Sequence, residues 1–316
     1  MAPKSSVEEF QALLAGVISR SKDGGRGQGR MLAILGAGLA APSGLPTMRG
    51  PGGLWQRKTA AGSESTSKID LEMVWLYYAW RHHLAAGASP NAAHKALARL
   101  ARHCHHQSSS SSAAAAPPTN KGEPAASSPP SLELMCLNLS LDDLLVRAGY
   151  PPESLRSAFG SNMALVCSDT AACSAVRRTS TTDRPCPSLV SEGDEPPRWL
   201  TDPTLPVPDL EPSRFPHCAA CGKHLVRPSV QPNRQALADV DEFVARKPAV
   251  DVALVVGTAA VLPPAPRYLH ETMRRGAVVV VVNPDPSVAE ALRDEDFFFQ
   301  GDAAEILPRL FDKVVS

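Results

Sequence analysis

The sequence predicts an α/β protein, a Rossmann-like and mostly parallel sheet with a small cysteine-bearing module inserted into it. Three observations carry that prediction. A short apolar run, Met31 to Leu35, ends on Gly36-Ala37-Gly38. Two β-branched runs, Val252 to Val256 and Ala277 to Val282, end at Gly257 and Asn283. Between these regions lies a Cys218-Ala-Ala-Cys221-Gly222 knuckle in a proline-rich context. Apolar runs without polar alternation fit parallel strands covered on both faces.

Taken in order, Val7 to Ser19 is an amphipathic segment, followed by Gly/Arg-rich Ser21 to Arg30. Residues 1–30 form an N-terminal extension. Glu8 and Glu9 inside it weaken a transit-peptide reading and favour a helix packed on the domain. Asn91 to His103 carries Ala93, Leu97 and Leu100 at helical spacing behind a Pro90-Asn91 start. Gln107 to Pro130 is a Ser/Ala/Pro tract without periodicity, expected as a disordered insertion. Pro264 to Arg275 reads as a helix ending at Gly276, completing a βαβ unit of the usual right hand. Phe297 to Phe311 reads as strand, Gly301-Asp302, then helix. The Rossmann-like domain is assigned to 31–165 and 250–312, and the inserted module to 166–230 with an irregular Pro-rich loop.

Lys plus Arg equals Asp plus Glu at 32 each, leaving a mixed surface without a basic footprint for nucleic acid or an anionic membrane. No apolar run approaches the ~20 residues that cross a bilayer. These features, with no secretory signal, suggest the cytoplasm or nucleus, and a mitochondrial location second.

A strand running into G-A-G, with Ser43-Gly44 and Pro46 close behind, lets backbone approach a pyrophosphate. An ordinary tight turn is the alternative. Gly257-Thr258, Asn283 and Asp302-Ala303 end three further strands on what should be the same carboxyl edge, where open α/β sheets bind ligands. The Asn283 amide could reach a ribose hydroxyl. A dinucleotide, NAD above all, is the expected ligand.

Seven cysteines and no secretory signal argue against a disulfide framework. Cys218 and Cys221, with the looser pair Cys167 and Cys173, suit a tetrahedral structural Zn²⁺. A redox pair or unrelated thiols remain the alternatives. The fold class is then α/β, a Rossmann-like mostly parallel sheet with a small inserted zinc-binding module.

These motifs together resemble the sirtuin family, the NAD-dependent protein-lysine deacylases, over Leu32 to about Leu310. The family's G-A-G-I/V-S-x-x-S-G-I/V-P-x-F-R-G is similar to Gly36 through Gly50, continued by Gly53-Leu54-Trp55. Its P-N-x-x-H-x-x-L helix resembles Pro90-Asn91, His94 and Leu97, and its G-T-S-x-x-V-x-P-A segment resembles Gly257-Thr258 with Pro264-Ala265. The resemblance implies NAD contacts at Gly36, Ala37, Gly38, Ser43, Gly44, Pro46, Arg49, Asp142, Gly257, Thr258, Asn283, Asp302 and Ala303. It implies an acylated-lysine protein as substrate. Tyr78 and Arg81 match the Y-x-x-R of the succinyl-, malonyl- and glutaryl-removing class, where a guanidinium pairs with the acyl carboxylate. A surface arginine lying beside a packed tyrosine is the competing reading.

The sequence also departs from the family. Its E-L-H-G-S appears as Ser157-Ala158-Phe159-Gly160-Ser161, so Phe159 stands at the general-base position and no catalytic residue is assigned. T-Q-N-x-D-G-L appears as Asn138 to Leu144 and keeps only Asp142. Ala40 and Met48 replace the family's Ser and Phe, Ala259 replaces the serine of G-T-S, and Pro232 interrupts the peptide-pairing strand. Neither His217 nor His224 offers a credible replacement base. Two functions follow: a deacylase with doubtful turnover, or an inactive relative that binds NAD or ADP-ribose as a sensor or interaction module.

Overall fold

A computed structural model describes residues 2–19, 28–47, 71–112, 132–169, 171–182, 197–202, 204–206, 208, 211, 215–222, 226–230 and 232–315. Helix α1 (Val7–Ile18) precedes β1 (Gly29–Leu35) and a 3-10 turn (Ala37–Ser43). Then come α2 (Leu71–Gly87), α3 (Ala92–Ser112), β2 (Leu132–Asn138), α4 (Leu144–Arg147), β3 (Leu155–Ser157), β4 (Gly160–Cys167) and β5 (Val176–Arg178). The chain continues through α5 (Arg198–Thr201), β6 (Val226–Val230), α6 (Arg234–Ala245), β7 (Val252–Val256), α7 (Ala265–Arg274), β8 (Val278–Asn283), β9 (Phe297–Gln300) and α8 (Ala303–Phe311).

Six strands form one parallel sheet in the order β3-β2-β1-β7-β8-β9. Because successive side chains alternate across a strand, the sheet feeds two cores. Met31, Ala33 and Leu35 pack with α1, α3 and α8 through Phe10, Leu97 and Leu307. Leu32 and Ile34 pack on the other face with Val240 and Phe243 of α6 and Tyr268 of α7. Chain order reverses between β1 and β7, so their carboxyl ends make the switch-point crevice where such sheets take ligands.

The inserted module is a three-stranded sheet, β5-β4-β6, with antiparallel pairing. It starts at Gly160, six residues before the boundary expected at 166. The apolar run Met163–Cys167 has no break to mark that change of sheet. α2 packs on this module through Trp75, Trp80 and Leu165.

One further difference has a physical cause. α3 runs through Gln107 to Ser112 rather than stopping at the serine tract. Extending an existing helix is far easier than starting one, and no Gly or Pro intervenes. Residues 113–130 of the expected insertion lie outside the described residues, as do Met48, Arg49, Gly50, Gly53, Cys186 and His224. The N-terminal segment is integral to the domain. Lys4 N donates to Asp296 O and Phe298 N to Lys4 O, both at 2.8 Å, beside the edge strand β9.

Candidate functional site

The G-A-G turn is built against the Gly257 turn. Gly36 N donates to Val256 O at 2.8 Å, and Gly38 N to Gly257 O at 2.9 Å. A Cβ on Gly36 would come within 2.5 Å of Gly257 O and Thr258 Cβ, and one on Gly38 within 2.7 Å of Gly257 O. A Cβ on Gly257, which sits at φ +62°, would lie 2.3 Å from Leu39 N. The glycines therefore let two strand-end turns touch, leaving the switch point clear of side chains. This sharpens the sequence reading: the N–H groups of Gly36 and Gly38 are committed to protein carbonyls rather than aimed at a phosphate. Gly44, at φ +85°, closes the 3-10 turn that Ala37 opens. Such a bare cradle at the switch point fits a dinucleotide.

Asn91 fixes this loop from the start of α3. Its Nδ2 donates to Leu39 O at 2.9 Å and to Ser43 Oγ at 3.1 Å, while its Oδ1 accepts from Ala93 N at 3.0 Å. The Pro-Asn start thus caps a helix and holds the loop at once. Pro46 O accepts from Arg81 Nη1. Arg81 is 5% exposed, which excludes the surface-arginine reading. Tyr78 lies on the same helix, and burial raises its phenol to about 12, so it stays protonated.

Three expected contact residues have local duties. Thr258 Oγ1 accepts from Ala260 N at 3.1 Å. Asn283 Nδ2 donates to Thr258 O at 3.2 Å and its Oδ1 accepts from Asp285 N at 3.0 Å, tying the β8 end to the β7 loop. Asp302 caps α8 by accepting from Ala304 N at 2.7 Å, and Ala303 is buried behind it. All line the carboxyl edge, as the sequence placed them.

The opposite rim is formed by the ends of β2 and β3 and the start of β4. Leu139 N donates to Leu35 O, Ala158 N to Asn138 O and Asn162 N to Leu141 O, each at 2.8 Å. Leu139 and Phe159 both pack against the same hydrophobic cluster. Both apolar replacements are thus partly buried against the core. Asp142 is buried, accepts from Leu144 N at 2.8 Å and receives the Ser140 hydroxyl. His94 is fully buried, and its pKa drops to about 4 because desolvation outweighs the attraction of Asp142. It is a neutral ring whose Nδ1 accepts from Asn91 N at 3.3 Å. His217 is exposed and adjoins Cys218 in the chain.

Cys167, Cys173, Cys218 and Cys221 converge, with their Sγ atoms all within 4.8 Å of one another. Cys167 and Cys221 are 3.9 Å apart and Cys173 and Cys218 3.7 Å. Tetrahedral Zn–S bonds of about 2.3 Å place thiolates about 3.8 Å apart, so the quartet fits zinc. Cys104 and Cys136 are buried in the main core instead.

Sequence reasoning missed Asp143, which has φ +59° where the family has glycine. It also missed Asn162, buried at the start of β4.

Comparison with known proteins agrees with this geometry. The profile described as Sir2 family matches residues 36–111. The chain is 32% identical over 289 residues to NAD-dependent protein deacylase 1 of Pseudomonas aeruginosa, spanning 90% of this chain and 94% of that one. It is 28% identical over 307 residues to an NAD-dependent protein deacylase of Candida albicans, spanning 88% and 92%. Among solved structures, a Sir2 homologue in complex with NAD superposes with a TM-score of 0.63 at 25% identity, covering 100% of this chain and 98% of the other. A mutant Sir2 homologue in complex with ADP-ribose gives 0.62 at 26%, covering 95% of each.

Proposed function

Because this chain belongs to the Sir2 family, we propose that it is an NAD-dependent protein-lysine deacylase acting on acylated-lysine proteins. The observation that carries the proposal is the bare cradle of Gly36, Gly38 and Gly257 at the β1/β7 switch point. Bound NAD would supply the ribose whose hydroxyl accepts the acyl group, with nicotinamide as the leaving group. The chain's own part is to hold the dinucleotide along Ser43, Gly44, Thr258, Asn283 and Asp302. Arg49, outside the described residues, belongs to the same proposed contact set. Tyr78 and Arg81 support an acidic acyl group, since a buried guanidinium is a strong bidentate partner for a carboxylate.

Phe159 cannot take a proton, and loss of a general base slows such chemistry by about 10²–10⁴-fold. Turnover is accordingly slow, on succinyl- or malonyl-lysine in preference to acetyl-lysine. Mass spectrometry of peptides carrying each acyl group, with and without NAD, tests this. NAD-dependent acyl loss with equimolar nicotinamide is expected, and Arg81→Met should abolish the acidic-acyl preference.

A second reading, an NAD- or ADP-ribose-binding sensor without turnover, rests on Leu139 and Phe159 standing where the family resemblance implies a glutamine and the general-base histidine. Calorimetric binding of both nucleotides with no acyl loss at stoichiometric enzyme would select it. For location, we favour the cytoplasm or nucleus over mitochondria, because α1 packs Phe10 and Leu14 into the core and carries Glu8 and Glu9, unlike an acid-poor transit peptide. Mass spectrometry of the natural protein's N-terminus decides this. Among the described residues no helix is long and apolar enough to cross a membrane. The even charge balance favours protein substrates over nucleic acid.

A further inference from the structure

One buried polar atom at the rim lacks a partner. Among the described residues, Asn162 Oδ1 is shielded from solvent and accepts no hydrogen bond, and the residue is 2% exposed. A buried acceptor left so loses its hydration without replacement, and such atoms are rare enough to require an explanation.

The backbone explains the position. β4 breaks register with β6 between Ser161 and Leu165. Within that bulge Asn162 N donates to Leu141 O at 2.8 Å instead of to β6. Met163 N turns back to Ser161 Oγ at 2.9 Å, and Met163 O accepts from Thr179 N at 2.8 Å. The bulge is thus pinned on both sides, and bulges characteristically re-aim a side chain near a site.

Polar groups of the facing loop are already engaged. Asn138 is bonded to Ser140, Ser140 to Asp142, and Asp142 to Leu144. Among the described residues, no donor reaches Asn162 Oδ1. This loop also holds Leu139 and Ser140, where the family resemblance implies two side-chain amides that orient nicotinamide and its ribose.

Resting on the NAD-binding reading above, we propose that Asn162 is a ligand-binding residue whose Oδ1 accepts a hydrogen bond from the nicotinamide-riboside half of NAD. It restores from β4 an amide that residues 139 and 140 no longer supply. The donor is a ribose hydroxyl or the nicotinamide carboxamide, both present on that half of the dinucleotide.

The test is calorimetric titration of the full-length protein with NAD, ADP-ribose and ADP, compared with Asn162→Leu, which keeps the volume and removes the acceptor. Losing one neutral hydrogen bond should weaken NAD by about three- to tenfold, with ADP unchanged. ADP-ribose weakens with NAD if the ribose hydroxyl is the donor, and stays with ADP if the carboxamide is; either supports the assignment. Equal change for all three nucleotides, or none, overturns it and marks an internal water or a packing role. Asn162→Ser, read by the same NAD-to-ADP ratio, serves if the leucine variant does not fold. Wild-type protein that binds no nucleotide would sink the NAD reading itself, before any variant is compared.

Discussion

The two sides of the switch-point crevice differ in what holds them. On the β1/β7 side, three glycines are fixed because any side chain would collide. On the β2/β3/β4 side, backbone bonds such as Ala158 N to Asn138 O set the frame, while the side chains of Leu139 and Phe159 pack against the core where the family resemblance implies polar groups. A site that is architecture on one side and chemistry on the other can lose the chemistry first. The cysteine quartet belongs with the architecture, since all four thiols remain in place.

The largest effect expected is on that quartet. Structural zinc couples on the order of 10 kcal/mol of binding to folding, comparable with a whole domain's ~5–15 kcal/mol. Cys218→Ser should lose one zinc per chain, by metal analysis, and unfold the β4–β6 module. α2 packs on that module through Trp75 and Trp80, so the variant should lose discrimination among acyl peptides. ADP binding at the β1/β7 side should survive; its disappearance would show that the two regions are one unit.

Next in size is restoration of the rim. Phe159→His combined with Leu139→Gln and Ser140→Asn should raise NAD-dependent deacylation toward the roughly 10²–10⁴-fold that a general base supplies. Phe159→His alone should recover less, because neighbouring changes in one site are not additive. If the triple variant gains nothing while still binding NAD, the defect lies elsewhere, and Pro232 in the peptide-pairing segment becomes the suspect.

A smaller effect separates the glycines. Gly257→Ala must bear a left-handed conformation, at roughly 1–2 kcal/mol, and also a Cβ 2.3 Å from Leu39 N. Chemical denaturation should show a loss of about 3 kcal/mol or more, within the range of backbone-strain and overpacking mutations. Gly276→Ala is the control: φ +92° with nothing within 4 Å of its Cβ, hence only the conformational part. Equal losses would mean that the two turns can separate.

These regions also differed in how legible they were. β1, β7 and β8 were plain because buried parallel strands leave long apolar runs ending in glycine or asparagine. The cysteine quartet was plain because thiolate ligation needs close pairs. β2 was hidden by the low-complexity tract before Leu132, and three-residue β3 is too short to show a period. The docking of Lys4 beside β9 depends on a contact across 293 positions that no local pattern records. Asn162 was invisible for another reason: its importance lies in a partner it lacks, and only burial reveals that.

The smallest expected effect concerns Asp143, where a rim substitution altered the backbone's requirements. At φ +59° it occupies a conformation that aspartate and asparagine tolerate better than most residues. Burial raises its carboxyl pKa, while a hydrogen bond from Ser161 and the charge of Arg178 pull it partly back. The Arg178 Nη1 contact is 3.3 Å long and that side chain is 70% exposed, so it contributes little. Since the native pKa lies above the unfolded one, the folded state carries a penalty at neutral pH that fades as acid protonates the group. Asp143→Asn keeps the left-handed turn and removes the charge. It should therefore raise stability at pH 7 by a few tenths to about 1 kcal/mol, measured by urea denaturation. The gain should shrink as pH falls through the aspartate range. A loss at pH 7 would mean that the Arg178 pair holds the zinc module to the sheet domain, making the rim part of the architecture after all.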